Sequence, residues 1–398
     1  MILGIADSNA LLSKKFGTEK HVHEVIKRLS VHYKIYYFPT TISFTYNEIN
    51  TEINKYVKIP SSFFSLWDKR EKKKFSLTRE LFSFSPLAKE LLSEYKKEVD
   101  SVDFLYIPHN YRLQLMSSIL MSELSNGKFG MLLMTDPHNT LLEKESFFKC
   151  VSVWEKIWFS KKSAIEFCLA QRLQNYVFLQ KTRRLKPSFI GVMNKGVLKY
   201  SNLSKYFNVK VISPPHAFNT EALKYRDVGK EDYAVFLGRI NNAKGIYEAI
   251  EIGKRIKMKI MGYPEDKRAI ELARKNGIEV ICSPDERTKF ETLSRAKVLV
   301  SPSHQESFSV TILEALAVRT PVVTYDLPSL ASIYEFQAVK FVKEFDVSSL
   351  YKKVKEIIEM NNVYNLFDEN VEEFVRLHSS WDNVANAIRE VIESSNEE

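Results

Sequence analysis

The sequence predicts an α/β protein made of two doubly wound parallel-sheet domains facing a deep interdomain cleft. Three observations carry that expectation. Short apolar, β-branched runs alternate with amphipathic helical stretches along the whole chain, the pattern of open parallel sheets covered by helices on both faces. The alternation restarts after a proline-opened stretch in the middle of the 398 residues. The charge also divides there: residues 1–230 hold 36 Lys+Arg against 21 Asp+Glu, a balance of +15, and residues 231–398 hold 22 against 28, a balance of −6, which together give the +9 of the chain.

In chain order, strands are expected at 2–6, 34–38, 104–107, 131–134, 189–193 and 209–212. After the break they are expected at 234–237, 257–261, 279–282, 298–301 and 321–324. Residues 1–213 therefore read as one domain and 231–379 as a second, with a helix at 380–394 that packs back on the first. Residues 214–230 open with Pro214-Pro215 and show no apolar periodicity, so they read as the linker.

With 44% hydrophobic and 27% charged residues the chain is globular, and disordered, collagen-like and disulfide-scaffold classes are excluded. Cys150, Cys168 and Cys282 have no metal-like spacing and suit reduced thiols in a cytoplasmic protein. The opening Met1 to Asp7 lacks a basic lead and an A-x-A site and reads as a strand. No apolar run approaches the roughly 20 residues that cross a bilayer, so membrane association is expected only at the surface, at the inner face of the cell membrane. Lys69, Arg70, Lys72, Lys73 and Lys74 lie among Phe63, Phe64, Trp67 and Phe75 and are the expected contact with an anionic membrane surface. Residues 141–186 form a second, helical segment in which aromatics precede a cationic cluster. No nucleic-acid motif accompanies the basic half. Neither G-x-x-x-x-G-K-[ST] nor G-x-G-x-x-G is present, which disfavours a kinase or a dehydrogenase.

Two clusters carry the chemistry. In Val235-Phe-Leu-Gly238-Arg239-Ile-Asn-Asn-Ala-Lys244-Gly245 a strand end is followed by a short loop and a Lys-Gly helix start. Doubly wound sheets bind ligands at the carboxyl ends of their strands, and two cations beside a helix N-terminus make a diphosphate site. Arg forks onto one phosphate and Lys acts as a point charge on the next. In Ser301-Pro-Ser-His-Gln-Glu306-Ser-Phe-Ser309-Val310-Thr311-Ile-Leu-Glu314 a loop carboxylate and a helix carboxylate eight residues later reach one site. A carboxylate beside a diphosphate makes sense where the ligand also brings ribose or sugar hydroxyls.

These motifs resemble the retaining GT-B glycosyltransferases of family 4, the glycosyl transferases group 1. The spacings Gly-Arg-x4-Lys-Gly and Glu-x7-Glu occur in the family's order, and Ile260-Met-Gly262, the strand before Ser303, Ser380-Trp381 and Phe16-Gly17-Thr18-Glu19 resemble further family pieces. The resemblance implies two Rossmann-like domains, the first for the acceptor and the second for the donor. It implies transfer of a sugar, a hexose above all, from a nucleotide-diphosphate sugar to an acceptor with retention. The two cations and the helix start facing the diphosphate imply no metal or cofactor, and the basic first half implies a lipid-linked or glycan acceptor. The nucleotide sugar is then substrate. A non-catalytic sugar-nucleotide-binding subunit and a soluble small-molecule glycosyltransferase are the alternative readings.

By position, the resemblance implies that Arg239 and Lys244 hold the donor diphosphate, with Gly17 and Gly262 at close-approach turns. It implies that Ser309, Val310 and Thr311 complete the phosphate cradle through their amides, that Glu314 binds the ribose and that Glu306 contacts the donor sugar. Residues 279–283 would lie beside the nucleobase and His109 on the acceptor side, while Asp136 and His138 stand as alternatives for the acceptor-side catalytic role. Two departures matter. Ser309 stands where the family often has Gly, and its side chain would crowd the donor if the position needed positive φ. His216 stands where the linker usually has Gly. The chain holds only 12 glycines, against roughly 28 at average usage.

Overall fold

Near-continuous apolar runs, buried on both faces, form the strands of two all-parallel sheets, as expected when helices cover both sides. The computed structural model describes residues 1–7, 17–39, 53–57, 96–108, 128–134 and 147–397. They belong to two units, Met1–Pro215 with Trp381–Glu398 and His216–Ser380.

The first unit holds strands β1 (Ile2–Asp7), β2 (Lys34–Pro39), β3 (Lys55–Tyr56), β4 (Phe104–Ile107), β5 (Phe129–Leu133), β6 (Phe189–Val192) and β7 (Val209–Val211), in the order β3-β2-β1-β4-β5-β6-β7. Every pairing is parallel, from Ile2 opposite Lys34 to Val192 opposite Val211. Leu3, Ile5, Ile35, Tyr37, Phe104, Tyr106, Phe129 and Phe189 are buried at its centre. Gly130 leaves room for Phe189, whose ring a Cβ there would meet at 2.2 Å. The helix Trp381–Glu397 completes this unit: the Arg28 guanidinium donates to Asp382 at 2.5 Å and the Tyr33 hydroxyl to Glu393 at 2.8 Å. Helices Phe147–Trp158 and Lys161–Leu185 form a hairpin in which Trp154, Trp158 and Phe167 cluster at 4.5–5.0 Å and the buried Cys150 and Cys168 sulfurs lie 3.1 Å apart.

The second unit holds β8 (Glu231–Leu237), β9 (Met258–Gly262), β10 (Glu279–Cys282), β11 (Ala296–Ser301), β12 (Val322–Tyr325) and β13 (Val339–Val342), in the order β10-β9-β8-β11-β12-β13, again all parallel. Strand order reverses between β8 and β11, so their carboxyl ends flank the point at which doubly wound sheets take ligands.

Two short strands, β3 and β13, were not expected from the sequence. Residues 216–230 are a correction to the expected linker, because they are packed into the second unit. Ala217, Phe218 and Ala222 are buried, the Phe218 amide donates to the His378 carbonyl at 3.1 Å, and Thr220–Tyr225 forms a 3-10 helix capped by Asn219. Two turns of 3-10 helix are too short to show a period.

Candidate functional site

The site of the second unit grows from the ends of β8 and β11. After β8, Gly238 and Gly262 bring two strand ends together: a Cβ on Gly262 would stand 1.5 Å from the Gly238 carbonyl oxygen. The Asn241 side-chain oxygen accepts from the Lys244 amide at 3.0 Å and caps the 3-10 turn Asn242–Lys244. Gly245 then reverses the chain at φ 74° and starts the helix Ile246–Gly253, with room for a Cβ denied by the Pro302 carbonyl oxygen at 2.0 Å. The turn bearing Lys244 is thereby pressed against the loop that leaves β11.

That loop is tied down by its backbone. The His304 amide donates to the Ala243 carbonyl at 3.0 Å, the Ser329 hydroxyl to the Glu306 carbonyl, and the Tyr334 hydroxyl to the Ser309 carbonyl at 2.8 Å. Phe308 anchors it from below, between the rings of His216 at 6.0 Å and His378 at 5.6 Å, both near-parallel to it. Burial holds the His378 imidazole down to a pKa of about 4, so this ring is neutral in the stack. His216, which stands in place of a linker Gly, is thus a packing residue under the site loop.

Of the four charged residues in the two motifs, Lys244 and Glu306 are in direct contact. The Lys244 ammonium donates to Glu306 Oε1 at 2.6 Å, and both side chains are largely buried, 22% and 11% exposed. Arg239 is half exposed and reaches Glu265 at 3.5 Å, while Asn241 holds the other oxygen of that carboxylate at 2.5 Å. An exposed pair at that distance contributes little and leaves the guanidinium free to turn to a phosphate. Ser309 precedes the helix Val310–Ala317 at φ −86°, so its side chain is accommodated without strain, and the concern over positive φ is resolved. Its hydroxyl lies 3.0 Å from the Thr311 hydroxyl and does not cap the helix. The first intrahelical bond runs from Leu313 to Ser309, so the amides of Val310, Thr311 and Ile312 have no acceptor within the helix.

Glu314, in the second turn, is buried and accepts from the Lys289 ammonium at 2.8 Å. Lys289 is a residue that the sequence reading missed. Burial lowers its pKa, the carboxylates of Glu314 and Glu286 raise it more, and the net shift is upward, so it is a fixed cation beside Glu314. It sits 25 residues from Glu314, and no local pattern announces the pairing.

In the first unit, Gly17 opens the helix Gly17–Leu29 and is not a loop residue. His109, Asp136, His138 and the cluster Lys69, Arg70, Lys72, Lys73 and Lys74 fall outside the described residues. Among the described residues no group of His, Cys, Asp and Glu is placed to hold a metal ion, and no helix is long and apolar enough to cross a membrane.

Residues 219–374 match the family model described as glycosyl transferases group 1. No curated protein matches the sequence. Among solved structures, sucrose-phosphate synthase from Thermosynechococcus elongatus is similar over 99% of this chain and 98% of its own, with TM-score 0.68 and 15% identity. An α,α-trehalose-phosphate synthase (UDP-forming) from Burkholderia vietnamiensis aligns over 100% and 99%, with TM-score 0.68 and 9% identity. Anabaena HepE, solved in complex with UDP, aligns over 99% and 100%, with TM-score 0.64 and 13% identity. At these identities the likeness is one of fold, the GT-B architecture of two Rossmann-like parallel-sheet units.

Proposed function

We propose that this chain, whose second unit matches the glycosyl transferases group 1 model over residues 219–374, is a glycosyltransferase that uses a nucleotide-diphosphate sugar. The observation that carries the reading is the convergence at the β8 and β11 ends, where Arg239, Lys244, Glu306 and the uncapped start of Val310–Ala317 stand around the topological switch point. That the similar Anabaena structure was solved in complex with UDP supports a nucleotide as ligand.

The donor stores its leaving group as a diphosphate, so the demand on the protein is to stabilise negative charge as the anomeric bond breaks. Arg239 and Lys244 supply two cations and the amides of Val310 and Thr311 supply oriented donors, an arrangement that needs no metal. Lys244 is paired with Glu306. A diphosphate draws Lys244 away, and the freed Glu306 carboxylate turns to orient the sugar and to stabilise oxocarbenium-like charge. Glu314, positioned by Lys289, takes the ribose hydroxyls. Resemblance to the family supports departure and attack on one face of the sugar, with retention and no protein nucleophile. The acceptor side, with His109 and either Asp136 or His138, is assigned to the first unit. The basic balance of that half supports a lipid-linked or glycan acceptor at an anionic membrane surface reached through Lys69, Arg70, Lys72, Lys73 and Lys74, in a cytoplasmic protein.

A screen of UDP-, GDP- and ADP-sugars by donor hydrolysis and thermal shift tests the reading. Stabilisation and slow hydrolysis with one nucleotide are expected, and no response to any of them contradicts it.

A further inference from the structure

We propose that His304 is a positioning residue for the donor site, a buried clamp joining three elements of the second unit so that Lys244 and Glu306 keep the spacing a diphosphate requires; the inference rests on the donor reading above. The His304 side chain is 1% exposed and hydrogen-bonds to two carboxylates at once, Nδ1 to Glu344 Oε1 and Nε2 to Glu248 Oε1, each at 2.9 Å. Glu248 lies in the first turn of the helix Ile246–Gly253, directly after Lys244 and Gly245. Glu344 follows β13. His304 itself stands two residues before Glu306, and its amide is bonded to the carbonyl of Ala243, the neighbour of Lys244. One residue therefore joins the turn bearing the cation, the loop bearing the carboxylate and the far edge of the sheet.

The chemistry explains why histidine suits this place. Two carboxylates on opposite sides of a flat ring each need an N–H, and only the imidazolium offers both; a neutral ring turns a lone pair toward one of them. The ring lies on Phe345 at 4.4 Å and beside Tyr325 at 5.3 Å, which fixes its plane. Around it stand Glu248 from the helix, Glu344 and Asp346 from the segment after β13, and the Tyr325 phenol from β12, whose pKa burial and the carboxylates of Glu248, Glu344 and Asp346 all raise. Lys244, the neighbouring cation, is committed to Glu306. Burial pushes the His304 pKa down, the two carboxylate hydrogen bonds push it up further, and the balance is upward from 6.5. The sign follows: a raised folded value means that the clamp is fully formed below pH 6.5 and is lost as pH rises through that raised value. Donor affinity falls over the same range, beyond any change that the phosphates themselves cause.

The test combines two measurements on the full chain. Nitrogen-15 NMR of labelled histidines reads the protonation of His304, assigned by its loss in His304→Gln. Calorimetric titration with UDP, GDP and ADP between pH 6 and 9 reads binding in the wild type, His304→Gln and Glu344→Gln. Expected are a doubly protonated His304 at pH 6.5, binding weakened about tenfold in His304→Gln at that pH through misplacement of the phosphate contacts, and a flatter pH profile in that variant. Glu344→Gln, which keeps the ring and tests the idea if His304→Gln does not fold, moves both the histidine titration and the fall in affinity to lower pH together. A singly protonated His304 at pH 6.5, or identical affinity and pH profile in the wild type and both variants, overturns the clamp while leaving the donor reading in place. Failure of the wild type to bind any of the three nucleotides overturns the donor reading and the clamp's role with it.

Discussion

Gly245→Ala isolates the contact that sets the position of Lys244. Gly245 and Gly277 share φ 74°, but a Cβ on Gly277 meets nothing within 4 Å, whereas a Cβ on Gly245 stands 2.0 Å from the Pro302 carbonyl oxygen. Left-handed backbone costs a non-glycine residue about 1–2 kcal/mol, so Gly277→Ala loses that amount, or roughly 2–8 °C in a unit of this size. Gly245→Ala loses the same and more, because backbone oxygen and Cβ must part by about 1.4 Å or more to reach an ordinary contact. The additional loss comes with a displaced turn, and Lys244 moves with it. Thermal unfolding and nucleoside-diphosphate titration of both variants measure the difference. The expected outcome is a larger loss of stability in Gly245→Ala and a loss of nucleotide affinity confined to it. Equal stability losses, or wild-type affinity in Gly245→Ala, would refute the argument that packing against Pro302 places the cation.

Arg239→Ala and Lys244→Ala each remove a charge-assisted phosphate contact of about 1.5–3 kcal/mol and so weaken donor binding by roughly ten- to a hundredfold, read by titration. Arg239→Ala has little effect on folding, whereas Lys244→Ala also lowers stability by leaving the largely buried Glu306 unpaired, read by thermal unfolding. Glu314→Gln is expected to raise donor KM and Glu306→Gln to lower kcat, and steady-state kinetics showing the reverse would exchange their roles. Neutral His378 makes the second unit acid-sensitive: its pKa falls from 6.5 to about 4 on folding, so the unfolded chain takes the proton first and stability drops by about 2 kcal/mol between pH 7 and 5. His378→Phe removes that dependence, and chemical denaturation at the two pH values reads the difference. Replacement of Lys69, Arg70, Lys72, Lys73 and Lys74 by Gln should abolish co-sedimentation with anionic vesicles and spare nucleotide binding, since each contributes about 1 kcal/mol near such a surface; equal sedimentation would contradict it.

Much of the fold, and of the elements that carry the candidate site residues, was legible because the signals are local. Runs such as 234–237 and 298–301 are apolar and flanked by breakers, and both lie in strands. Gly238-Arg239 and Lys244-Gly245 mark their own turn, and Glu306 and Glu314 mark a loop and the helix after it. What escaped depends on contacts far apart in sequence. Strand β3 has two residues, too few for an alternation to stand out, whereas β13 is as long as strands that were expected and its Val-Lys-Phe-Val was passed over. Residues 216–230 read as linker because their anchors, Phe218 to His378 and Asn219 to Glu286, join positions 160 and 67 residues apart. His304 sat inside a recognised motif, but its meaning lies in Glu248 and Glu344, 56 and 40 residues away. Ser309 would crowd a ligand only at positive φ, which the helix start does not adopt.

The central claim is that the carboxyl ends of β8 and β11 bind the diphosphate of a nucleotide. Calorimetric titration of the wild type and Lys244→Ala with UDP, GDP and ADP tests it most directly. The account predicts one-to-one binding of at least one of these nucleotides by the wild type and affinity at least tenfold weaker in the folded variant. Absence of binding to the wild type, or equal affinity in the two proteins, would contradict it.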